Sequence, residues 1–113
     1  MSALPENCEP CRSGDAALSE AEAAAFGADI PRWTLEFPVL RRSFALADFR
    51  RALAFINRVG MLAEEEDHHP DIHLTSYRNV EFSLTTHAVD GLSQNDFILA
   101  RKIDALAEKD GLG

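Results

Sequence analysis

All four histidines of this chain lie within a short stretch, at His68, His69, His73 and His87. Imidazole is the side chain best suited to give and take protons near neutral pH. His68 and His69 follow a run of carboxylates and precede Pro70, which disfavours helix in the residue before it. A helix C-terminus and nearby carboxylates both favour the protonated imidazolium. This cluster therefore predicts general acid–base chemistry.

Two acidic residues are placed to support these histidines. Glu64 lies one helical turn before His68 and could hydrogen-bond its ring, the alternative being a solvated carboxylate on the helix surface. Asp96 is the third residue of a capping box that Ser93 opens, so a purely structural role as a helix cap stays open. The sequence predicts both carboxylates as supporting residues.

Two aromatic residues are candidate contacts for a flat ligand. Trp33 and Tyr77 both lie in stretches where apolar and polar residues alternate, which is typical of strands. An aromatic ring could stack on a planar substrate, or it could simply pack in the core or at the end of a sheet. Both alternatives stay open for each residue.

A metal site is a weaker interpretation of the same residues. Imidazole is a common zinc ligand, but the adjacent His68 and His69 do not share a helix face, and the HExxH pattern is absent. Cys8 and Cys11 form one C-x-x-C pair, which is half of a structural zinc site, and no second pair follows. We therefore expect no metal and treat the two thiols as incidental, with a metal-binding protein as the third-ranked alternative.

Composition limits the class of protein. The chain has 113 residues, 46% of them hydrophobic and 27% charged, which suits one globular domain. Its net charge of −8 argues against direct binding to nucleic acid or to anionic membranes. No apolar run approaches the ~20 residues of a membrane span, and the first residues lack a secretory signal. Because two cysteines do not make a disulfide framework, we expect a cytoplasmic protein.

The N-terminal third is predicted to hold an arm, a helix and a hairpin. Residues 1–18 contain scattered prolines and polar residues without periodicity, which predicts a flexible arm preceding a single domain at 19–113. Ser19 and Glu22 form a capping box for an alanine-rich helix that ends near Gly27. Alternation between residues 31 and 46 then predicts two strands.

The remaining two thirds are predicted to hold two helices around a second hairpin. Asp48 caps a helix whose apolar stripe includes Phe49 and Leu53 and excludes Phe55. Two alternating segments follow between residues 72 and 85, and Ser93 opens the last helix. The order α-β-β-α-β-β-α predicts an α+β two-layer sandwich, with a four-stranded antiparallel sheet and the helices on one face.

The spacing of these residues resembles that of the pterin-4a-carbinolamine dehydratase family. The matching pattern is Glu64, His68-His69-Pro70, Tyr77, His87 and Asp96. The segment EEEDHHPDIHLTSYRNVEFSLTTHAVDGLSQNDFILARKID is similar to the family's core, and FALADFRRALAFINRVGMLA is similar to its central helix. Trp33 and the initial CEPCR also have counterparts in some members. The Pro70–Tyr77 interval is one residue longer than in some members, which predicts a shift in the strand there.

The resemblance implies a DCoH-like fold and an enzyme that dehydrates 4a-hydroxytetrahydropterin to quinonoid dihydropterin and water, in tetrahydrobiopterin recycling. It implies that His68 and His87 are the acid and base candidates, in either order, and that His69 positions the pterin and shares the proton work. Trp33 and Tyr77 are then further substrate contacts, and no metal or redox cofactor is needed.

The resemblance also implies a homodimer or homotetramer and a functional link to an aromatic amino-acid hydroxylase. Phe55, an aromatic residue off the main apolar stripe of the central helix, agrees with assembly. So do the edges of a four-stranded sheet, which are exposed unless they pair across chains. The alternative function is a non-catalytic dimerisation coactivator or assembly factor on the same fold. Three histidines around one pocket favour the enzyme, because a scaffold has no need of them.

Overall fold

A computed structural model describes residues 4–9 and 15–112. The helices and strands follow in the order α1 (Glu20–Gly27), β1 (Thr34–Glu36), β2 (Val39–Ala45), α2 (Phe49–Glu66), β3 (Asp71–Thr75), β4 (Asn79–Leu84) and α3 (Gln94–Lys109). A short 3-10 helix, His87–Val89, lies between β4 and α3. The four strands form one antiparallel sheet in the order β1-β2-β4-β3. This confirms the predicted α+β sandwich and its element order.

The helices begin where their capping residues predict. In α1, the Ser19 hydroxyl accepts the N–H of Glu22, and the Glu22 carboxylate accepts the N–H of Ser19. The Asp48 carboxylate accepts the N–H of Arg51 at the start of α2. These bonds satisfy backbone donors that have no partner inside the helix. None of the helices in the described part of the chain is both long and apolar enough to cross a membrane.

The core lies between the helices and one face of the sheet. The rings of Phe44, Phe55 and Phe82 meet edge to face, with centroids 5.0–5.9 Å apart. Leu99 and Ile103 of α3 are fully buried beside them. Edge-to-face contacts bring the positive ring edge to the negative ring face, so this cluster adds specificity to the burial of apolar surface.

Phe55 corrects the predicted stripe of α2. It is 2% exposed in the core, whereas Phe49 and Leu53, which were expected on the buried stripe, are 49% and 41% exposed. Apolar residues cover more than half of the circumference of this helix, so their spacing alone does not determine which side faces the sheet. The buried positions are Ala52, Phe55, Val59 and Ala63.

Residues 4–9, in the predicted N-terminal arm, contact the rest of the domain. Leu4 is 8% exposed and belongs to the core cluster. The backbone N–H of Cys8 donates to the Glu66 carboxylate at the end of α2. Side chains of α2 and α3 bind the backbone of this segment, at positions that a periodicity argument does not detect. The flexibility predicted for residues 1–18 stays a prediction. Cys11 and its neighbours lie outside the described residues.

Candidate active site

The predicted catalytic histidines flank one end of the β3–β4 hairpin. His68 and His69 occupy the link between α2 and β3, and His87 opens the turn that follows β4. Asp71 in β3 pairs with Ser83 in β4. Because the strands are antiparallel, the residues just before β3 and just after β4 come to the same end of the sheet.

Asp96 joins these segments through its carboxylate. Its Oδ1 lies 2.6 Å from Nε2 of His68. Its Oδ2 accepts hydrogen bonds from the Thr86 hydroxyl at 2.7 Å and from the Ser93 backbone N–H at 3.0 Å. The side chain of Asp96 is fully buried. One carboxylate therefore caps α3 and also binds His68, while its supporting role in catalysis stays a prediction.

The pairing with Asp96 fixes the orientation of the His68 ring. Carboxylate oxygens only accept hydrogen bonds, so Nε2 of His68 is the donor and carries a proton. Nδ1 is then the nitrogen available for proton transfer. The side chain of His68 is 11% exposed, so the ring binds a buried carboxylate while a small part of it reaches solvent. A buried carboxylate behind an imidazole selects its tautomer and holds the ring in one orientation.

Glu64 pairs with His69, and the prediction that it would support His68 is wrong. Nε2 of His69 lies 2.5 Å from Oε2 of Glu64, and the two side chains are 58% and 76% exposed. The prediction assumed that the helix continues to residue 68. Instead α2 ends at Glu66, and Asp67 adopts the left-handed conformation with φ 51°. The chain direction changes there, so helical spacing no longer applies.

The turn that carries His87 is held by its backbone. Thr86 and Gly91 exchange two backbone hydrogen bonds, of 2.7 and 3.3 Å. A Cβ at Gly91 would lie 2.9 Å from the Cβ of Ala17, so only glycine fits this close approach without a shift. The ring of His87 is exposed and makes no hydrogen bond within residues 4–9 and 15–112. Both of its nitrogens are therefore available to a ligand.

Trp33 is not brought to the histidines. It is 7% exposed, and its indole Nε1 donates to Oδ1 of Asp104 at 2.7 Å. Asp104 also forms an ion pair with the buried Arg42. Asp104 lies more than two helical turns beyond Asp96 on α3, so Trp33 packs as a core residue at another part of the domain.

Tyr77 and His73 are also separated from this site. Tyr77 is 62% exposed in the turn between β3 and β4, at the opposite end of the hairpin from His68. The strand β3 ends at Thr75, and Tyr77 has a φ of 55°, so it is a turn residue rather than the predicted strand residue. His73 lies on the outer face of the sheet, where it lines a cavity of about 390 Å³ with Arg41.

Other concavities and groups do not point to a second catalytic centre. A cavity of about 400 Å³ lies between α2 and α3, but none of the predicted site residues lines it. Among residues 4–9 and 15–112, no group of three or more His, Cys, Asp or Glu side chains could hold a metal ion. Burial, together with the Glu66 carboxylate, raises the pKa of the Cys8 thiol to about 12, which makes it a poor nucleophile at neutral pH.

Thr86 is a site residue that the sequence reasoning missed. Its hydroxyl binds Asp96 and also lies 2.8 Å from the Ser93 hydroxyl, and the residue is 5% exposed. Its position directly before His87 was the only available signal. Threonine is common in and beside strands, so its position did not distinguish Thr86 from a structural residue.

Sequence comparisons identify the relatives of this chain. The family model described as Pterin 4 alpha carbinolamine dehydratase matches residues 16–106. A protein of Halorhodospira halophila, provisionally named a pterin-4-alpha-carbinolamine dehydratase, is 43% identical over 108 residues, which cover 94% of this chain and 98% of the relative. The mitochondrial pterin-4-alpha-carbinolamine dehydratase 2 of Arabidopsis thaliana is 39% identical over 110 residues, which cover 93% of this chain and 59% of that protein.

Two solved structures are similar to this fold. A transcriptional coactivator/pterin dehydratase from Brucella melitensis is 31% identical with a TM-score of 0.73, covering 80% of this chain and 98% of that one. A pterin dehydratase-like protein described as a RuBisCO assembly factor in the alpha-carboxysome is 26% identical with a TM-score of 0.54, covering 67% and 87%. The second likeness joins the fold to a role other than catalysis.

Proposed function

The chain belongs to the pterin-4-alpha-carbinolamine dehydratase family, and on that premise we propose that it dehydrates 4a-hydroxytetrahydropterin. The products are quinonoid dihydropterin and water. The observation that carries the proposal is the buried His68–Asp96 pair, with exposed rings at His69 and His87 on the adjoining segments. Two or three imidazoles beside one buried carboxylate suit a reaction that consists of two proton transfers.

The reaction balances without a redox partner. The C4a–O bond of the substrate breaks, and a general acid protonates the departing hydroxyl so that it leaves as water. A general base removes the proton on N5, and its electron pair forms the C4a=N5 double bond. Each positioned proton transfer contributes ~10²–10⁴-fold to the rate.

The roles follow from exposure and pairing. We assign the two proton transfers to His68, through its Nδ1, and to His87, whose ring nitrogens are available to a ligand. His69 positions the pterin, with its ring anchored by Glu64 on the exposed side. Asp96 supports His68. Trp33 and Tyr77 drop out of the proposed substrate contacts within one chain, because neither lies near these histidines.

We extend the proposal to assembly and cellular context. Phe49, Leu53 and Met61 of α2 are 49%, 41% and 68% exposed, and β3 is an edge strand of the sheet. Apolar side chains and edge strands are the surfaces that homo-oligomers cover, so we propose a dimer or a dimer of dimers. A cytoplasmic location, tetrahydrobiopterin recycling and a link to an aromatic amino-acid hydroxylase complete the proposal.

The alternative function is a non-catalytic coactivator or assembly factor. The exposed apolar side chains of α2 favour it, since a binding protein needs such a surface. The two similar solved structures are described as a transcriptional coactivator/pterin dehydratase and as a RuBisCO assembly factor, which are roles of this kind. The two functions make different demands on the histidines, because a scaffold tolerates their loss and a dehydratase does not.

A direct assay decides between the functions. Purified protein is mixed with freshly generated 4a-hydroxytetrahydropterin, and loss of the carbinolamine absorbance is followed against buffer alone. We expect acceleration that survives dialysis against a strong chelator and is lost in the double variant His68→Ala/His87→Ala. The variant His73→Ala is the matched control, since this histidine lies on the outer face of the sheet. A rate equal to that of buffer would contradict the proposal.

A further inference from the structure

We propose that residues 4–9 form a strap that positions the His68–Asp96 pair, with Glu66 and Asn95 as its two anchors. The proposal rests on the proposed dehydratase function and deepens it. The strap precedes residues 16–106, which are the residues that the family model matches.

The first anchor is Glu66, the last residue of α2. Its Oε1 accepts the backbone N–H of Cys8 at 2.8 Å, and its Oε2 accepts Nζ of Lys102 at 2.7 Å. The Glu66 side chain is only 8% exposed. Burial acts to raise its pKa, but the hydrogen bonds from Lys102 and Cys8 outweigh burial and lower the pKa below its ordinary value. Lys102 also donates to the Asn7 side chain at 2.7 Å, so one ammonium binds both α2 and the strap.

The second anchor is Asn95, near the start of α3. Its Oδ1 accepts the backbone N–H of Glu9 at 2.9 Å, and its Nδ2 donates to the Glu9 carbonyl. The amide thus binds both backbone groups of one strap residue, as a neighbouring strand would. Asn95 is 7% exposed, so these bonds are shielded from water and unbinding would leave buried polar groups unsatisfied.

The two anchors adjoin the two members of the catalytic pair. Glu66 lies two residues before His68, and Asn95 directly precedes Asp96. The strap therefore connects the end of α2 to the start of α3, which are the segments whose spacing sets the His68–Asp96 distance. Glu66 and Asn95 are positioning residues, because their side chains bind the strap rather than the His68 and Asp96 side chains.

The opposite end of the strap is held independently. Leu4 belongs to the core cluster, and Arg101 of α3 donates to the Pro5 carbonyl at 2.8 Å. A segment that is fixed at both ends can hold the end of α2 at a set distance from the start of α3, whereas a segment fixed at one end cannot. Misplacement of a catalytic group by ~1 Å can cost up to ~10²-fold in rate.

The test uses two changes and one matched control. A chain lacking residues 1–9 loses the strap, and Asn95→Ala loses one anchor in the full chain. A chain lacking residues 1–3 keeps every strap contact described above. We expect kcat to fall about tenfold in the first two, with KM changed less than about twofold, because the strap contacts neither exposed ring. The control should keep both constants, and thermal melts verify folding.

A second readout does not depend on activity. The ring ¹⁵N shifts of His68, measured at one pH, report the hydrogen bond of Nε2 to Asp96. They should change in Asn95→Ala and in the shortened chain, and a conservative Glu66→Gln should change them less than Glu66→Ala. If the shortened chain fails to fold, the Asn95 and Glu66 variants show whether the strap positions the His68–Asp96 pair.

The outcomes separate the two proposals. Unchanged kcat together with unchanged His68 shifts overturns the strap proposal and leaves the dehydratase proposal standing. A full chain without dehydratase activity overturns the proposed function, and the His68 shifts alone then decide whether the strap positions the pair. Equal losses in kcat and in affinity, with altered melting, indicate a merely structural segment and also overturn the positioning role.

Discussion

Two histidine–carboxylate pairs involve adjacent histidines of this chain. Their contact distances are nearly equal, but their exposure to solvent differs. His68 and Asp96 are 2.6 Å apart with side chains 11% and 0% exposed, and His69 and Glu64 are 2.5 Å apart with side chains 58% and 76% exposed. Water screens the second pair and barely reaches the first. The comparison teaches that burial, and not contact distance, decides how strongly a carboxylate controls an imidazole.

The largest expected effect is on turnover when the buried pair is altered. Asp96→Asn keeps the shape but presents an amide, whose NH₂ group would face Nε2 of His68 and favour the opposite tautomer. We expect kcat to fall by ~10²-fold or more, as measured by carbinolamine dehydration. The exposed counterpart Glu64→Gln should change kcat less than about threefold. Equal losses in the two variants would remove the distinction between the pairs.

The next effect is on stability. His68→Ala leaves the buried carboxylate of Asp96 without one of its three hydrogen-bond donors. Loss of a hydrogen bond to a buried polar group costs ~1–3 kcal/mol. His69→Ala breaks a solvated pair, for which ~0–1 kcal/mol is typical. Urea unfolding of both variants measures the free energies. A loss below ~1 kcal/mol for His68→Ala would show that the carboxylate finds another partner or water.

A third carboxylate extends the comparison to pH. Hydrogen bonds from Lys102 and the Cys8 N–H outweigh burial and keep the pKa of Glu66 below its ordinary value. A lowered folded-state pKa contributes stability above the unfolded pKa of ~4.3, and that contribution is lost as pH falls through the folded value. The stability difference between the native chain and Glu66→Gln should therefore be largest at pH 7 and shrink below pH ~4. A stability difference that grows as the pH falls would contradict a lowered pKa of Glu66 in the folded state.

The smallest effect is that of salt on the exposed pair. Screening at ~1 M salt shortens the Debye length to ~3 Å, so the contribution of Glu64 and His69 to unfolding free energy should vanish. A double-mutant cycle at low and high salt measures it. The same cycle on His68 and Asp96 should keep most of its coupling energy, because solvent ions do not reach a buried pair.

The order of the elements followed from local signals. Asp48 and Ser93 each precede an apolar helical pattern, and a cap acts on backbone groups within three residues of itself. Alternation in the strands is equally local. In each of these features the interacting residues lie within a few positions of each other in the sequence. The order of helices and strands could therefore be predicted without knowledge of any long-range contact.

The pairing within the site could not be predicted in the same way. The expected Glu64–His68 bond assumed a helix through residue 68, and one left-handed residue, Asp67, ended it. The partner of His68 is 28 residues away in sequence, and its approach depends on how α3 packs. Phe55 illustrates the same limit, since a helix with apolar residues on most sides does not indicate which side meets the sheet.

The carboxylate of Asp96 has a consequence for folding cooperativity. Its three donors come from the α2–β3 link, the turn after β4 and the residue that caps α3, which meet only in the assembled domain. Opening any one of these segments leaves a buried acceptor without a hydrogen-bond donor. The free energy of such a local opening is therefore close to the free energy of global unfolding. Slow hydrogen exchange of the Ser93 amide, at rates that track global unfolding, is the signature of such a unit. The site is then among the last parts of the molecule to loosen, although it is built largely from segments that link helices and strands.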